Sequence, residues 1–253
     1  MRIWFRRLAI LALPVVLGCN RAMLASGLDA PDPSELTGNR KFTWVADSAG
    51  PVRLYAESGI EGRVSAARIR RAVAAVDSTL DLMPDSRPIS VFVVGSTDRM
   101  NALLGRRVEG RSFYQTGVLA VVPTDNWEAT AKHELTHVAL GRHWGKASSQ
   151  WISEGAATWV GNPFYGRDIR VLGRDRLMRT GKLLPLSTLD DSFGRAPDEV
   201  TYLQSGSVVQ FIVNRFGIPA LRTVWQDGMP AIPRATKLSL DEFEREWREF
   251  LRR

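Results

Sequence analysis

The sequence predicts an α+β fold, with a small N-terminal mixed sheet carrying helices followed by a mainly α-helical half. Three observations lead there. As far as Val122, short β-branched runs alternate with amphipathic helical periodicity, and beyond Pro163 the periodicity is helical to the end of the chain. With 44% apolar residues, eight Trp and ten Phe among 253 residues, the chain has enough apolar surface for a buried core.

The first residues read as an address rather than as structure. Positive charge in Met1 to Arg7, an apolar run from Leu8 to Leu17 and then Gly18-Cys19 have the three regions of a secretory signal, residues 1–18. The apolar run is too short to span a bilayer comfortably. Val16-Leu17-Gly18-Cys19 resembles a bacterial lipobox, which implies cleavage before Cys19 and lipid modification of that residue. Cys19 is the only cysteine, so no internal disulfide framework exists. The expectation is an exported bacterial lipoprotein, anchored through Cys19 on the periplasmic or extracellular face of a membrane. An ordinary signal cut near Ala25 is the alternative. Residues 19–40, with Gly27, Pro31, Pro33, Ser34 and Gly38, lack periodicity and read as a tether, leaving 41–253 as one folded domain. Without Arg2, Arg6 and Arg7, 31 basic residues face 27 acidic ones, and no basic run carries interleaved aromatics, which argues against nucleic acid as a partner.

Each later element has its own signal. Phe42 to Val45 and Val52 to Tyr55, separated by Asp47-Ser48-Ala49-Gly50-Pro51, suggest a hairpin with an irregular turn. Ile69, Val73, Val76, Leu80 and Met83 step by four and three, so a helix is expected between Val64 and Met83. Ile89 to Val94 reads as a buried strand and Asp98 to Leu104 as a short helix closed by Gly105. A loop rich in Gly and Arg follows, then a strand from Gly117 to Val122 that Pro123 stops. Asp125 and Glu128 form a variant capping box, predicting a helix from about Asn126 to Leu140 that ends at Gly141, with Leu135, Val138 and Ala139 facing the core. Further helices are expected near Ile169 to Arg179, Val200 to Phe216, Pro219 to Gln226 and Leu240 to Leu251.

The chemistry gathers on His133-Glu134-Leu135-Thr136-His137, an HExxH sequence inside a predicted helix. Positions four apart lie one above the other on a helix, so His133 and His137 can offer two imidazoles to one metal ion while Glu134 reaches a water beside it. With only three histidines in the chain, a chance match has odds of roughly one in a thousand. Two nitrogens suit a catalytic zinc, which needs a third protein ligand and one open position. The best candidate is Glu154, sixteen intervening residues after His137. That spacing lets one helix end, turn and send a second back past the first. Gly155, Ala156 and Ala157 leave room for the second helix to approach closely.

His133-Glu134-x-x-His137 followed by Trp151-Ile152-Ser153-Glu154-Gly155-Ala156-Ala157 resembles the gluzincin metallopeptidases, the peptidase MA-like superfamily of thermolysin and aminopeptidase N. The resemblance implies a zincin-like fold with the active site between the two halves, one Zn2+ held by His133, His137 and Glu154, and Glu134 as the base. Tyr202-Leu203-Gln204-Ser205-Gly206-Ser207-Val208-Val209 resembles the Tyr-led helix start of the same relatives, implying that Tyr202 stabilises the oxyanion. The implied activity is zinc-dependent hydrolysis of peptide bonds in a peptide or protein substrate. Endopeptidase action is the default, because an extended peptide would pair with the Gly117 to Val122 strand if that strand is an edge. Two departures stand out: that strand lacks the amine-binding glutamate of the aminopeptidases, and Thr158 stands where thermolysin-like enzymes have an aspartate. The rival readings are a lipoprotein that keeps this fold without turnover, as an envelope binding or assembly factor, and a structural lipoprotein without metal.

Overall fold

The computed structural model describes residues 30–164 and 166–253. The signal sequence, Cys19 and the tether up to residue 29 lie outside the described residues. The rest of the tether departs from expectation. Helix α1 (Pro33–Thr37) is closed by a reciprocal capping box between Asp32 and Glu35, and Leu36 is buried. A five-residue helix needs tertiary support. Leu36 supplies it by joining Phe42, Phe92, Met100 and Val118 in a small apolar cluster.

Strands β1 (Trp44–Ala49) and β2 (Val52–Glu57) form the expected hairpin. The turn is tighter than Asp47-Ser48-Ala49 suggested: those residues continue the strand, and only Gly50-Pro51 connects, with Gly50 at φ 60°. Helix α2 (Ala66–Thr79) buries Ile69, Ala72 and Val76, but ends sooner than its periodicity implied. Met83 therefore lies beyond the helix and is exposed. Strand β3 (Ile89–Val93) is buried throughout, and α3 (Thr97–Leu104) closes at Gly105 in the left-handed conformation.

The Gly/Arg-rich loop contains an unpredicted strand, β4 (Gly110–Phe113), which pairs antiparallel with β5 (Val118–Val121). The sheet order is β1-β2-β3-β5-β4, with β2–β3 and β3–β5 parallel. The α+β class is thus confirmed, but β5 is an interior strand, and among the described residues the edges are β1 and β4. One face of the sheet, carrying Leu54, Val91, Leu119 and Val121, packs with α2 and the helix that follows β5. The other, carrying Phe92, Val118 and Ala120, packs with α1 and α3. Burial on both faces explains why β3 and β5 read as unbroken apolar runs.

The second half is helical. Helix α4 (Trp127–Trp144) is followed by α5 (Gln150–Gly161), the short α6 (Ile169–Leu172) running into a π-helical turn (Gly173–Met178), α7 (Asp198–Asp227), α8 (Ile232–Thr236) and α9 (Leu240–Arg252). As Gly217 and Pro219 predicted, α7 is broken, at Gly217 with φ 80° and ψ 176°. The apolar core runs from Val52 on β2 through Trp151 to Trp247 and Leu251 on α9.

Candidate metal centre

Helix α4 differs from expectation at both ends. Its N-cap is Asn126, without a side-chain cap hydrogen bond, so the Asp125/Glu128 box does not form; Glu128 pairs with Arg68 of α2 instead. At the other end the helix runs through Gly141 to Trp144. A Cβ on Gly141 would lie 2.3 Å from the Tyr114 ring, so this glycine makes room for the loop between β4 and β5 rather than ending a helix. Leu135 and Val138 are buried and Ala139 is half-buried, as predicted. Arg142 fixes the C-terminal end of α4: its Nη2 donates to the Pro88 carbonyl at 2.8 Å and its Nη1 meets Asp85 at 3.3 Å.

That anchoring presents His133 and His137 to α5. Glu154, in the second turn of α5, arrives as the predicted third donor because the two helices run very close. Gly155 also permits the approach of α7: a Cβ there would sit 2.8 Å from the Ser205 carbonyl oxygen. The result is a compact trio. His133 Nε2 and His137 Nε2 are 3.2 Å apart, and Glu154 Oε2 lies 3.2 Å from the first and 3.6 Å from the second. His133 and Glu154 are each 1% exposed and His137 is 8% exposed.

These separations fit a metal. Ligands about 2.0–2.1 Å from one tetrahedral ion lie about 3.3–3.4 Å from each other. Two imidazole nitrogens and one carboxylate oxygen converging within 4.8 Å form the single His/Cys/Asp/Glu trio of this kind among the described residues. The electrostatics agree. Burial pushes the Glu154 carboxyl up, but the charge of His137 and hydrogen bonds from both histidines outweigh it and hold the group at about 2. For His137, burial pushes the imidazole down, while Glu154 and then Glu134 bring it above its ordinary value. A buried carboxylate beside two imidazoles therefore stays ionised, as a ligand must.

The shell around the ligands is built from α5 and β4. Ser153 Oγ lies 3.2 Å from His137 Nδ1, the partner that turns the opposite ring nitrogen toward Glu154. His133 Nδ1 and the hydroxyl of Thr158 are both buried without a hydrogen-bond partner among the described residues. Glu134, 1% exposed, accepts a 2.6 Å hydrogen bond from Ser112 Oγ of β4. Gly110 makes this possible, because a Cβ there would meet Glu134 Cγ and Oε1 at 2.9 Å. Ser112 escaped sequence reasoning along with its strand. The only available signal was small residues at two-residue spacing, Gly110 and Ser112.

Tyr202 is fully buried in the second turn of α7, its ring centroid 6.3 Å from that of His133 and 5.6 Å from that of Phe193. One turn earlier on the same helix, Asp198 has its carboxyl raised, by burial first and then by the charge of Glu154. The five residues singled out in the sequence, His133, Glu134, His137, Glu154 and Tyr202, thus come together at the junction of α4, α5 and α7. A cleft of about 830 Å³, counting the space open to solvent, leads to His137 and Glu154; its walls include Arg111, Ser112 and Phe113 of β4, and Trp225 of α7. The open strand is β4, not β5, and Gly110-Arg111-Ser112-Phe113 likewise carries no acid, although Glu109 directly precedes it.

No protein-family model matches the sequence, and no curated protein matches it. A solved structure similar to this chain is that of a two-domain M1 zinc metallopeptidase, crystallised as a variant bound to L-arginine. The match has a TM-score of 0.49 at 17% identity and covers 83% of this chain and 50% of that one, so this chain spans half the length of that structure.

Proposed function

We propose that the protein is a zinc-dependent peptide hydrolase whose ion is held by His133, His137 and Glu154. The observation that carries this reading is the pairing of a buried trio, with donors 3.2–3.6 Å apart, with a separate carboxylate on the next residue of the same helix. A structural metal site has no use for that extra carboxylate. When bound, zinc supplies Lewis acidity that polarises a carbonyl and makes water a nucleophile at neutral pH. Glu134, held by Ser112, takes a proton from the attacking water and returns it to the departing amine. Tyr202, packed beside His133, donates a hydrogen bond to the developing oxyanion. An extended substrate adds to the outer edge of β4, the end of the sheet among the described residues, using backbone hydrogen bonds that do not depend on its termini, so internal peptide bonds are the expected targets.

The zinc-loaded Glu134→Gln variant tests the reading. It is expected to keep one equivalent of zinc and to lose hydrolysis of a peptide library by about 10²–10⁴-fold, the contribution of a positioned general base. Undiminished turnover in that variant removes Glu134 from the mechanism. A zinc-loaded wild type that cleaves no peptide supports the envelope binding factor instead.

A further inference from the structure

The hydrolytic reading uses the edge strand only as far as Ser112, but the chain continues along α4. Alternation puts Gly110, Ser112 and, one residue past the end of β4, Tyr114 on the side facing α4. Their seats on that helix advance in step: Gly110 lies against Thr130 and Glu134, Ser112 bonds Glu134, and the Tyr114 ring covers Gly141. Gly141 follows His137 by four residues, so it lies on the same face of α4, one turn further along. Tyr114 and His137 also line the same cleft. We infer that Tyr114 determines specificity: its ring, seated on Gly141, packs against a large apolar or aromatic side chain of the substrate next to the scissile bond. This deepens the proposed peptidase reading and rests on it.

The Tyr114 ring has the character of a recognition surface. It is half-buried, and it belongs to none of the three apolar clusters formed by the described residues, so the folded core does not use it. It is also fixed in place. A Cβ on Gly141 would lie 2.3 Å from Tyr114 Cγ and 2.7 Å from Cδ1, so the ring rests directly on the helix backbone. Arg142 Nε donates to the Tyr114 carbonyl at 3.4 Å, and the Gly117 N–H donates to the Phe113 carbonyl at 2.8 Å, closing the turn that carries the ring. A contact surface ordered before binding loses little entropy when a ligand arrives. The cleft wall includes further apolar surface: Ala147 offers a methyl group, and Trp225 has its Nε1 occupied by the Gly145 carbonyl at 3.0 Å. A flat ring with apolar neighbours is satisfied by dispersion and burial, and an aromatic partner adds ring-to-ring contact.

The test uses the zinc-loaded full chain and three peptides of one length with blocked termini. All share a neutral background of Ala, Ser and Gly; one carries a single Phe, one a single Leu, and one neither. The rate constant kcat/KM is measured on the wild type, with product masses to locate the cut, and Kd by calorimetry on the zinc-loaded, non-cleaving Glu134→Gln form. The Phe peptide is expected to exceed the background peptide by about 10–100-fold in both measurements, with Leu between them and the cut beside the large residue. Tyr114→Ala should bring the Phe ratio to within about 3-fold of unity while zinc is retained. Tyr114→Phe should keep the ratio, since the ring and not the hydroxyl makes the contact. Equal handling of the three peptides by the wild type overturns the inference without any variant. A preference that survives in a folded, zinc-replete Tyr114→Ala, or that is lost in Tyr114→Phe, also overturns it. Cleavage without preference leaves the peptidase reading standing. Tyr114-dependent binding of a Phe peptide that is never cleaved leaves the inference standing and removes the peptidase reading.

Discussion

Helix pair α4–α5, which carries Glu134 and the three donors, and edge strand β4, whose Ser112 hydrogen-bonds Glu134, are held in place by different means. The helix pair places its donors by local geometry. His133 and His137 are one turn apart, and Glu154 follows once α5 packs into the space left by small residues. Strand β4 is four residues long and, among the described residues, pairs with β5 alone. It exists because β5 offers it a partner and because Gly110 and Ser112 fit against α4. The helices therefore determine whether a metal is held, while the strand determines how the base is aimed and what lies beside it. Damage to the two should look different.

The largest effect is expected on the helix side. Gly155→Ala places a methyl group 2.8 Å from the Ser205 carbonyl oxygen, a backbone atom that cannot swing away. Overpacking of this kind costs about 1–3 kcal/mol, and α5 must shift and carry Glu154 with it. Thermal unfolding should move down by several degrees and zinc affinity should fall at least tenfold. Unchanged zinc affinity would show that the trio tolerates helix displacement, and the contrast with β4 would fail.

On the strand side, Ser112→Ala removes the 2.6 Å hydrogen bond to Glu134 and nothing from the trio. We expect kcat to fall about tenfold while KM, zinc content and the unfolding midpoint stay close to wild type, since a hydrogen bond to a charged group contributes about 1.5–3 kcal/mol. Ser112→Thr should recover part of the rate. A loss of zinc in Ser112→Ala would assign the strand to metal binding instead.

The smallest effect concerns the anchor of α4. Burial pushes the Asp85 carboxyl up, but its hydrogen bonds with Arg87 and the charges of Arg142 and Arg87 outweigh this and lower it. A carboxyl lowered in the folded state stabilises the protein above its unfolded value of about 3.9, and that contribution is lost as pH falls through the folded value. Asp85→Asn should thus cost about 1 kcal/mol at pH 7 and approach wild type near the acid end of the unfolding series. An equal cost at every pH would mean that the carboxylate charge is not what fixes α4.

These contrasts follow what was legible in the sequence. Helix α4, its two histidines and Glu134 needed only residue spacing, and Glu154 needed only the length of chain between two helices. Local rules failed where a partner from elsewhere decides. Gly141 reads as a helix stop yet sits mid-helix, because Tyr114 needs the space. Leu36 reads as tether yet is buried, because Phe42 and Met100 shelter it. Met83 continues the stripe of α2 in sequence but lies past the end of the helix and is exposed.

The sequence by itself determined the α+β class, the metal-binding type of the donors and their grouping around α4, because helical periodicity and ligand chemistry are properties of neighbouring residues. Only the tertiary structure decided which strand is the edge, that Ser112 holds Glu134, that Ser153 orients His137, and that Arg111 lines the cleft. Strand order and side-chain contacts depend on pairings between residues distant in the chain, and no local pattern in Glu109 to Phe113 encodes them.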